Sequence, residues 1–131
     1  MSCRQGSTQW LGFKYAVTAG VVTEDAYPYK SRVDPSTEPC RTGGIAVAGR
    51  IANYTRLPAN NYSALMNAVA GVGPVAISVD ASWMAYEGGI FEPAASGIKT
   101  TIDHAVQVVG YGTEGGKDYW VRCPPRPIAI T

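Results

Sequence analysis

The feature that most constrains the fold is an alternation of apolar and small or polar residues in the second half of the chain. Residues 74–80, PVAISVD, carry apolar side chains at every second position, which predicts a β-strand with one buried face. Residues 104–112 predict a second strand and residues 117–122 a third. Because Gly115 and Gly116 suit a tight turn, we expect the last two strands to form an antiparallel hairpin.

A helix is predicted near the start of the chain. Ser7 or Thr8 can cap it, and it runs to about Ala19, with Gly20 as its stop. Trp10, Phe13 and Val17 recur at helical spacing and form an apolar face. The large rings of Trp10 and Phe13 should anchor this face by burial.

A second helix is predicted from Tyr62 to about Val72, capped by Asn60 or Asn61. Residues 45–54 are interpreted as a further strand, and residues 23–29 as a polar corner. The prolines within residues 123–131 lack an N–H donor, so we expect them to stop the strand that precedes them. Early helices followed by antiparallel strands indicate an α+β fold with a curled sheet.

The composition excludes several classes of protein. Hydrophobic residues make up 46% and charged residues 16%, which is unlike a disordered chain or a coiled coil. A net charge of +1 gives no field that favours nucleic acid or an anionic membrane, and no apolar stretch is long enough for a bilayer. Met1–Gly6 has no apolar core, so no signal peptide is expected in this chain.

Chemistry can be sought at His104, which is the only histidine. An imidazole at the start of a strand is suited to general base catalysis, but a lone histidine is more often a hydrogen-bonded structural residue. No HxxxH or CxxC spacing is present, so neither a metal site nor another cofactor is expected. The residues alone therefore indicate only a globular α+β domain.

Two sequons, Asn53-Tyr54-Thr55 and Asn61-Tyr62-Ser63, fit the acceptor pattern for N-glycosylation. Asn53 and Asn61 are therefore possible glycosylation sites. The alternative is that both are ordinary polar loop residues without glycan.

Five segments, in order along the chain, resemble motifs of the papain-like cysteine proteases. Residues 24–29 resemble the Glu-x-x-Tyr-Pro-Tyr corner of that family, and residues 73–81 its Gly-Pro-Val strand. Residues 86–91 are similar to its Tyr-x-x-Gly-Ile-Phe turn, and residues 102–112 to its histidine-bearing strand. Residues 117–121 are similar to its Asp-Tyr-Trp strand. The resemblance covers most of the chain but only the later part of a protease domain.

The resemblance implies a papain-like fold fragment. Residues 1–22 would be a remnant of the helical subdomain, and residues 23–122 most of the β-barrel subdomain. Residues 123–131 would form an aberrant tail, because the family's pattern is lost after Arg122.

The resemblance also assigns catalytic roles. In the family, a cysteine thiolate attacks the peptide carbonyl and a histidine, matched here by His104, holds the thiolate and protonates the leaving amine. The nucleophile's Cys-Gly-x-Cys-Trp motif is not found in this sequence, and Gln5 lies in the wrong context for the oxyanion glutamine. Cys123 stands where the family has the asparagine that orients the imidazole.

Two further cysteines match disulfide positions of the family. Cys3 heads a segment similar to Cys-x-Gly-Gly, and Cys40 follows the Tyr-Pro-Tyr corner. In both cases the family's partner cysteine comes from an upstream portion, so both are expected to be half-cystines whose partners are absent here. The total of three cysteines agrees with this expectation, because an odd number cannot all pair within one chain.

Some residues of the family's substrate cleft have counterparts in this sequence. Gly6 corresponds to the glycine that bonds the backbone of an extended substrate peptide. Ile102, Ala105 and Ser78 correspond to residues that line the pocket for the second side chain before the scissile bond. Asp103 precedes the histidine as in several members, either as a contributor to the site or as a carboxylate that caps the strand end.

We therefore expect an incomplete papain-like cysteine peptidase chain that is inactive as written, with peptide or protein substrates and a lysosomal, vacuolar or extracellular location. Its partner would be the missing N-terminal half of the protease domain. The alternative is a non-catalytic homologue that binds peptides or a protease partner through the remaining cleft wall.

Overall fold

The computed structural model describes residues 7–30, 41, 43–81, 88–92, 101–123 and 126–129. The chain divides into two compact units, Met1–Arg56 and Leu57–Thr131, which are described separately. Neither contains, among these residues, a helix of the length and apolar character needed to cross a membrane.

The first unit contains helix α1, Gln9–Thr18, as the sequence predicts. The carbonyl of Thr8 accepts hydrogen bonds from the N–H groups of Leu11 and Gly12 at its start. The helix ends where Gly20 takes a φ of 82°, a conformation that is open to glycine and strained for other residues. The glycine stop is therefore confirmed.

The expected burial of the α1 aromatic face is wrong. Trp10 and Phe13 are 39% and 41% exposed, and no residue of α1 is buried. Their rings instead make surface contacts, because the guanidinium of Arg56 lies over the Trp10 ring and Tyr54 stacks on Phe13 at 5.8 Å between centroids. Within the described part of this unit, little apolar surface covers the two rings.

The strand predicted over residues 45–54 is also not formed. Among the described residues, its backbone pairs with another segment at a single bridge, where Val21 N–H donates to Gly49 O and Ala48 N–H donates to Val21 O, both at 2.8 Å. Val47 and Ile51 are exposed. A strand needs a ladder to satisfy its backbone, and the small residues of this segment bury too little apolar area to hold one.

The polar corner after α1 is confirmed. The carboxylate of Glu24 accepts a hydrogen bond from the backbone N–H of Tyr29 at 2.7 Å. Tyr27 N–H bonds back to Thr23 O, and the guanidinium of Arg41 lies over the Tyr27 ring. An acidic side chain thus closes the loop around the Tyr-Pro-Tyr sequence.

In the described residues of the second unit there are one α-helix and a four-stranded antiparallel sheet, in agreement with the predicted α+β class. The elements are α2 (Tyr62–Gly71), β1 (Val75–Val79), β2 (His104–Glu114), β3 (Lys117–Cys123) and β4 (Arg126–Ala129). The strands lie in the order β1-β2-β3-β4. The Gly115-Gly116 hairpin is confirmed, with φ values of 59° and 76° at its two glycines.

A β-bulge interrupts the pairing of β2 with β3. Val108 lies opposite Arg122, but Gly110 lies opposite Val121, so Val109 is the extra residue. Because neighbours along a strand alternate between faces, the bulge brings Tyr111 to the face that carries Val108. The edge-to-face contact of Tyr111 with Trp120, at 6.0 Å, agrees with this exchange of faces.

The core of this unit lies on the Val108 face. Val108 is fully buried, and Arg122 opposite it is 4% exposed. Helix α2 packs against β1 and β2, and its first residue, Tyr62, meets Trp120 edge to face at 5.7 Å.

The expectation for the proline-rich end needs correction. Strand β3 does end at Cys123, but the chain returns as β4, in which Pro127 lies opposite Val121. A proline can be accommodated there because β4 is last in the strand order, and among the described residues its outer side pairs only at the Phe91–Ile128 bridge, next to Pro127. The prolines thus end one strand without ending the sheet.

Candidate active site

The candidate site is built around His104, which is the first residue of β2 and lies opposite Val79, the last residue of β1. His104 is exposed. The strand start holds the backbone of this residue in the sheet while its imidazole remains accessible. This is the arrangement required of a proton-transfer group that acts on an external molecule.

Backbone and side-chain hydrogen bonds tie the residues before His104 to the end of β1. The backbone N–H of Asp103 donates to Val79 O at 3.2 Å, and Asp103 Oδ1 accepts the N–H of Ala81 at 2.9 Å. In the opposite sense, Asp80 Oδ2 accepts the N–H of Thr101. Two aspartates, one on each segment, therefore each bind the backbone of the other segment.

Asp103 was expected either to contribute to the site or to cap the strand end, and its hydrogen bonds are relevant to both roles. Its carboxylate holds the Ala81 N–H, which is the behaviour expected of a group that caps a strand end. It does so one residue before His104, so the same bond also fixes the backbone beside the imidazole.

The residues assigned to the substrate pocket lie at this end of the sheet. Ser78 and Ala105 are directly opposite each other in the β1–β2 ladder, and both are exposed. They lie on the opposite face from His104, because neighbouring residues of a strand alternate. Ile102 is 61% exposed and adds apolar surface before the strand begins.

Cys123 occupies the end of β3, opposite Gln107, and its thiol is free and exposed. By register it shares a face with Gln107 and, two residues away, with Ala105. A thiol is only a weak hydrogen-bond donor or acceptor, so it cannot replace the two strong donors and the acceptor of an asparagine amide.

Three of the predicted site residues lie outside the part of the chain that the structure describes: Gly6, Cys3 and Cys40. The two sequon asparagines are described, and both are exposed. Asn61 caps α2, because its Oδ1 accepts the N–H of Ala64 at 2.9 Å, and Asn53 Oδ1 accepts the N–H of Tyr54 at 2.8 Å. Both side-chain bonds use the oxygen, so the amide nitrogen that a glycan would join takes no part in them.

Sequence reasoning missed Asp80 as a member of the site. The signal was present, because Asp80 ends one predicted strand and Asp103 directly precedes the next. Within the described ranges, histidine, cysteine and acidic residues form no cluster of three or more that could hold a metal ion.

A comparison with protein families matches residues 1–122 to the papain family of cysteine proteases. Among curated relatives, digestive cysteine proteinase 2 of Homarus americanus is 39% identical over 106 residues, which are 78% of this chain and 31% of the relative. Cathepsin S of Mus musculus is 38% identical over 114 residues, or 83% of this chain and 32% of the relative. The chain therefore spans about a third of the length of these curated relatives.

Solved structures agree with the sequence relatives. The Carica candamarcensis cysteine protease CMS1MS2 superposes with a TM-score of 0.73 at 28% identity, covering 97% of this chain and 61% of the other. Procathepsin L 3 of the Tenebrio molitor larval midgut superposes with a TM-score of 0.69 at 32% identity, covering 84% and 35%. These likenesses confirm the predicted papain-like α+β fold fragment.

Proposed function

The chain belongs to the papain family of cysteine proteases, and on that basis we propose that it supplies the histidine-bearing wall of a cysteine peptidase active site. The observation that carries the proposal is the exposed imidazole of His104 at the start of β2. Three hydrogen bonds join the residues just before it to the end of β1. Its substrates would be peptides or proteins, and the reaction would be hydrolysis of the peptide bond.

In this proposal His104 exchanges one proton with a cysteine thiol and with the leaving amine. It takes the proton from the thiol, which leaves a thiolate–imidazolium pair, and the thiolate then attacks the substrate carbonyl. His104 returns the proton to the amine as the peptide bond breaks. It then helps a water molecule to hydrolyse the acyl-enzyme.

The substrate would lie across the end of the sheet that carries His104. Ser78 and Ala105 form a small, exposed pair, and Ile102 adds a larger apolar side chain. We propose that these three residues accept a medium-sized, moderately apolar substrate side chain, with Gly6 bonding the substrate backbone and Asp103 fixing the edge of the site.

We propose that the remaining catalytic groups are not among the residues of this sequence. None of its cysteines lies in a Cys-Gly-x-Cys-Trp motif, and by the family resemblance Cys123 would stand in place of the orienting asparagine. Loss of a nucleophile of this kind reduces turnover by about 10⁶-fold. We therefore propose that this chain alone does not hydrolyse peptides and that it acts together with the first part of the protease domain.

The same proposal includes the cellular setting. Cys3 and Cys40 would pair with cysteines of that first part, and such bridges persist in oxidising compartments. Glycans at Asn53 or Asn61 would require passage through the secretory pathway. A lysosomal, vacuolar or extracellular location is consistent with both.

The first test is an assay of the purified chain with a fluorogenic dipeptidyl substrate, with and without a thiol-directed inhibitor. We expect no turnover that the inhibitor removes. Inhibitor-sensitive hydrolysis would show that the chain carries a nucleophile of its own and would contradict the proposed incompleteness.

The second test restores the missing portion. The first part of a papain-family relative, with its Cys-Gly-x-Cys-Trp motif, is joined to this chain carrying Cys123→Asn. We expect inhibitor-sensitive turnover that His104→Ala reduces by at least about 10³-fold. Gln107→Ala on the same strand is the matched control and should retain most of the activity. Equal turnover with and without His104 would refute its assignment.

A further inference from the structure

We propose that Asp80 is a positioning residue for His104, acting through the backbone of Thr101. The inference rests on the proposed catalytic role of His104. Its physical content, that the Asp80 carboxylate fixes the conformation in which β2 begins, can be measured without any turnover.

The contact itself is between a carboxylate and a backbone donor. Asp80 follows the last residue of β1, and its Oδ2 accepts the N–H of Thr101, three residues before His104. Hydrogen bonds from a backbone N–H to an ionised acceptor are about twice as strong as those between neutral groups. The bond joins residues 21 positions apart in the sequence, so it fixes two distant segments of the chain against each other.

The Asp80 bond complements the bonds of Asp103. Asp103 holds the chain after β1 through Ala81 N–H and holds its own backbone to Val79 O. These two bonds fix the residue next to His104 but not the direction from which the chain arrives. The Asp80–Thr101 bond fixes that direction, so the segment that leads into His104 is held at two points rather than one.

The Asp80–Thr101 bond matters because His104 lies at the end of the β1–β2 ladder. The regular ladder between β1 and β2 ends at the Val79–His104 pair, so the sheet holds the strand on one side of His104 only. Terminal pairs of a ladder open more readily than central ones. Without the Asp80 bond, opening at Thr101 would extend toward Asp103 and change the orientation of the imidazole.

The experiment uses the single histidine of the full chain as a probe. Because His104 is the only histidine, the imidazole resonances in ¹H–¹³C NMR spectra belong to it alone. The variants are Asp80→Ala, which removes the acceptor, and Asp80→Asn, which keeps an amide oxygen in nearly the same place. Asp118→Ala is the matched control, since it removes a carboxylate that accepts a hydrogen bond from Thr113 at the far end of β2.

In Asp80→Ala, we expect the Thr101 amide to exchange with solvent about tenfold faster or more, since loss of one hydrogen bond corresponds to about that factor. The His104 ring signals should move toward those of an unfolded histidine. Asp80→Asn should restore most of both readouts. Asp118→Ala removes the Thr113 contact of the hairpin and should leave the His104 signals unchanged.

A purely structural role would lower stability without moving the His104 signals of the folded protein. Unchanged ring signals in folded Asp80→Ala, despite faster exchange at Thr101, would therefore overturn the inference. If the alanine variant does not fold, Asp80→Glu takes its place. It keeps the charge but moves the carboxylate by one methylene, and should shift the same signals where Asp80→Asn does not.

The two proposals fail in distinguishable ways. Turnover of the joined protein that does not depend on His104 would refute the catalytic role while leaving the NMR result intact. Ring signals that do not depend on Asp80 would refute the positioning role whether or not the joined protein is active.

Discussion

Val108 and Arg122 lie directly opposite each other in the β2–β3 ladder, and both are buried. An aliphatic side chain and the stem of an arginine thus share the centre of the sheet, on the face that α2 covers. The Val108–Arg122 pair is also the last regular pair before the bulge, so packing at this point holds the register on the side that leads to His104.

Truncating this core should destabilise the chain. We expect Val108→Ala to lower the free energy of unfolding by about 2 kcal/mol, because it removes two buried methyl groups and leaves a cavity. Val109→Ala, at the exposed bulge position, is the control and should cost less than about 1 kcal/mol. Urea denaturation followed by circular dichroism measures both, and equal losses in the two variants would contradict the assigned core.

Gly112 should not tolerate a side chain. A Cβ at this position would lie 2.7 Å from the Tyr119 hydroxyl oxygen and 2.8 Å from its Cζ. We expect Gly112→Ala to cost about 1–3 kcal/mol, as overpacking does, and Tyr119→Ser to recover part of that loss in the double variant. Gly110→Ala is the control, since its Cβ would meet Val121 at an ordinary 3.7 Å. Additive losses in the double variant would refute the predicted overlap.

The glycines at the end and in the middle of α1 should respond in opposite directions. At Gly20, positive φ and a Cβ placed 2.6 Å from Val47 Cγ1 predict a loss of about 2 kcal/mol or more on Gly20→Ala. At Gly12, nothing lies within 4 Å, so Gly12→Ala should gain about 0.5–1 kcal/mol through helix propensity. Thermal unfolding distinguishes the two, and destabilisation by Gly12→Ala would contradict the helix assignment.

Two variants of the second sequon distinguish the role of Asn61 as a helix cap from its role as a glycan acceptor. Asn61→Ala removes both the cap of α2 and the glycan acceptor, whereas Ser63→Ala removes only the sequon. In bacterially made, unglycosylated protein we expect Asn61→Ala to cost about 1 kcal/mol and Ser63→Ala to cost little. In protein secreted from eukaryotic cells, both should abolish any mass shift due to a glycan at Asn61. A stable unglycosylated Asn61→Ala variant would refute the capping role.

The elements that the sequence predicts best are those whose evidence is local. A period of two predicted β1, and an apolar run closed by glycines predicted β2. Asn60 or Asn61 followed by an apolar run predicted α2. Residues 45–54 show the limit of such patterns, because β-branched residues there have no partner ladder in the described chain. Strand β4 is the opposite case. Its prolines argued against a strand, but a position at the end of the strand order lets the segment pair with β3.

The candidate site also has features that local sequence predicted and features that it did not. His104 was identified from its motif, and its position at a strand start followed from the predicted strand. The Asp80–Thr101 contact was not predicted, because it joins residues 21 positions apart and depends on how two strand ends meet. The opposite-face placement of Ser78 and His104 depends on register, which the sequence pattern alone did not set.

The bulge at Val109 has a consequence for how this strand can change over time. Deletion of Val109 would leave a regular ladder, in which Val108 keeps Arg122 and Tyr111 keeps Trp120 as its partner. Val108 would therefore stay on the core face, and the Tyr111–Trp120 contact would be kept. Over evolution this position should accept both replacement and loss of its residue, whereas a one-residue deletion at a paired position of β2 would turn the residues beyond it to the other face.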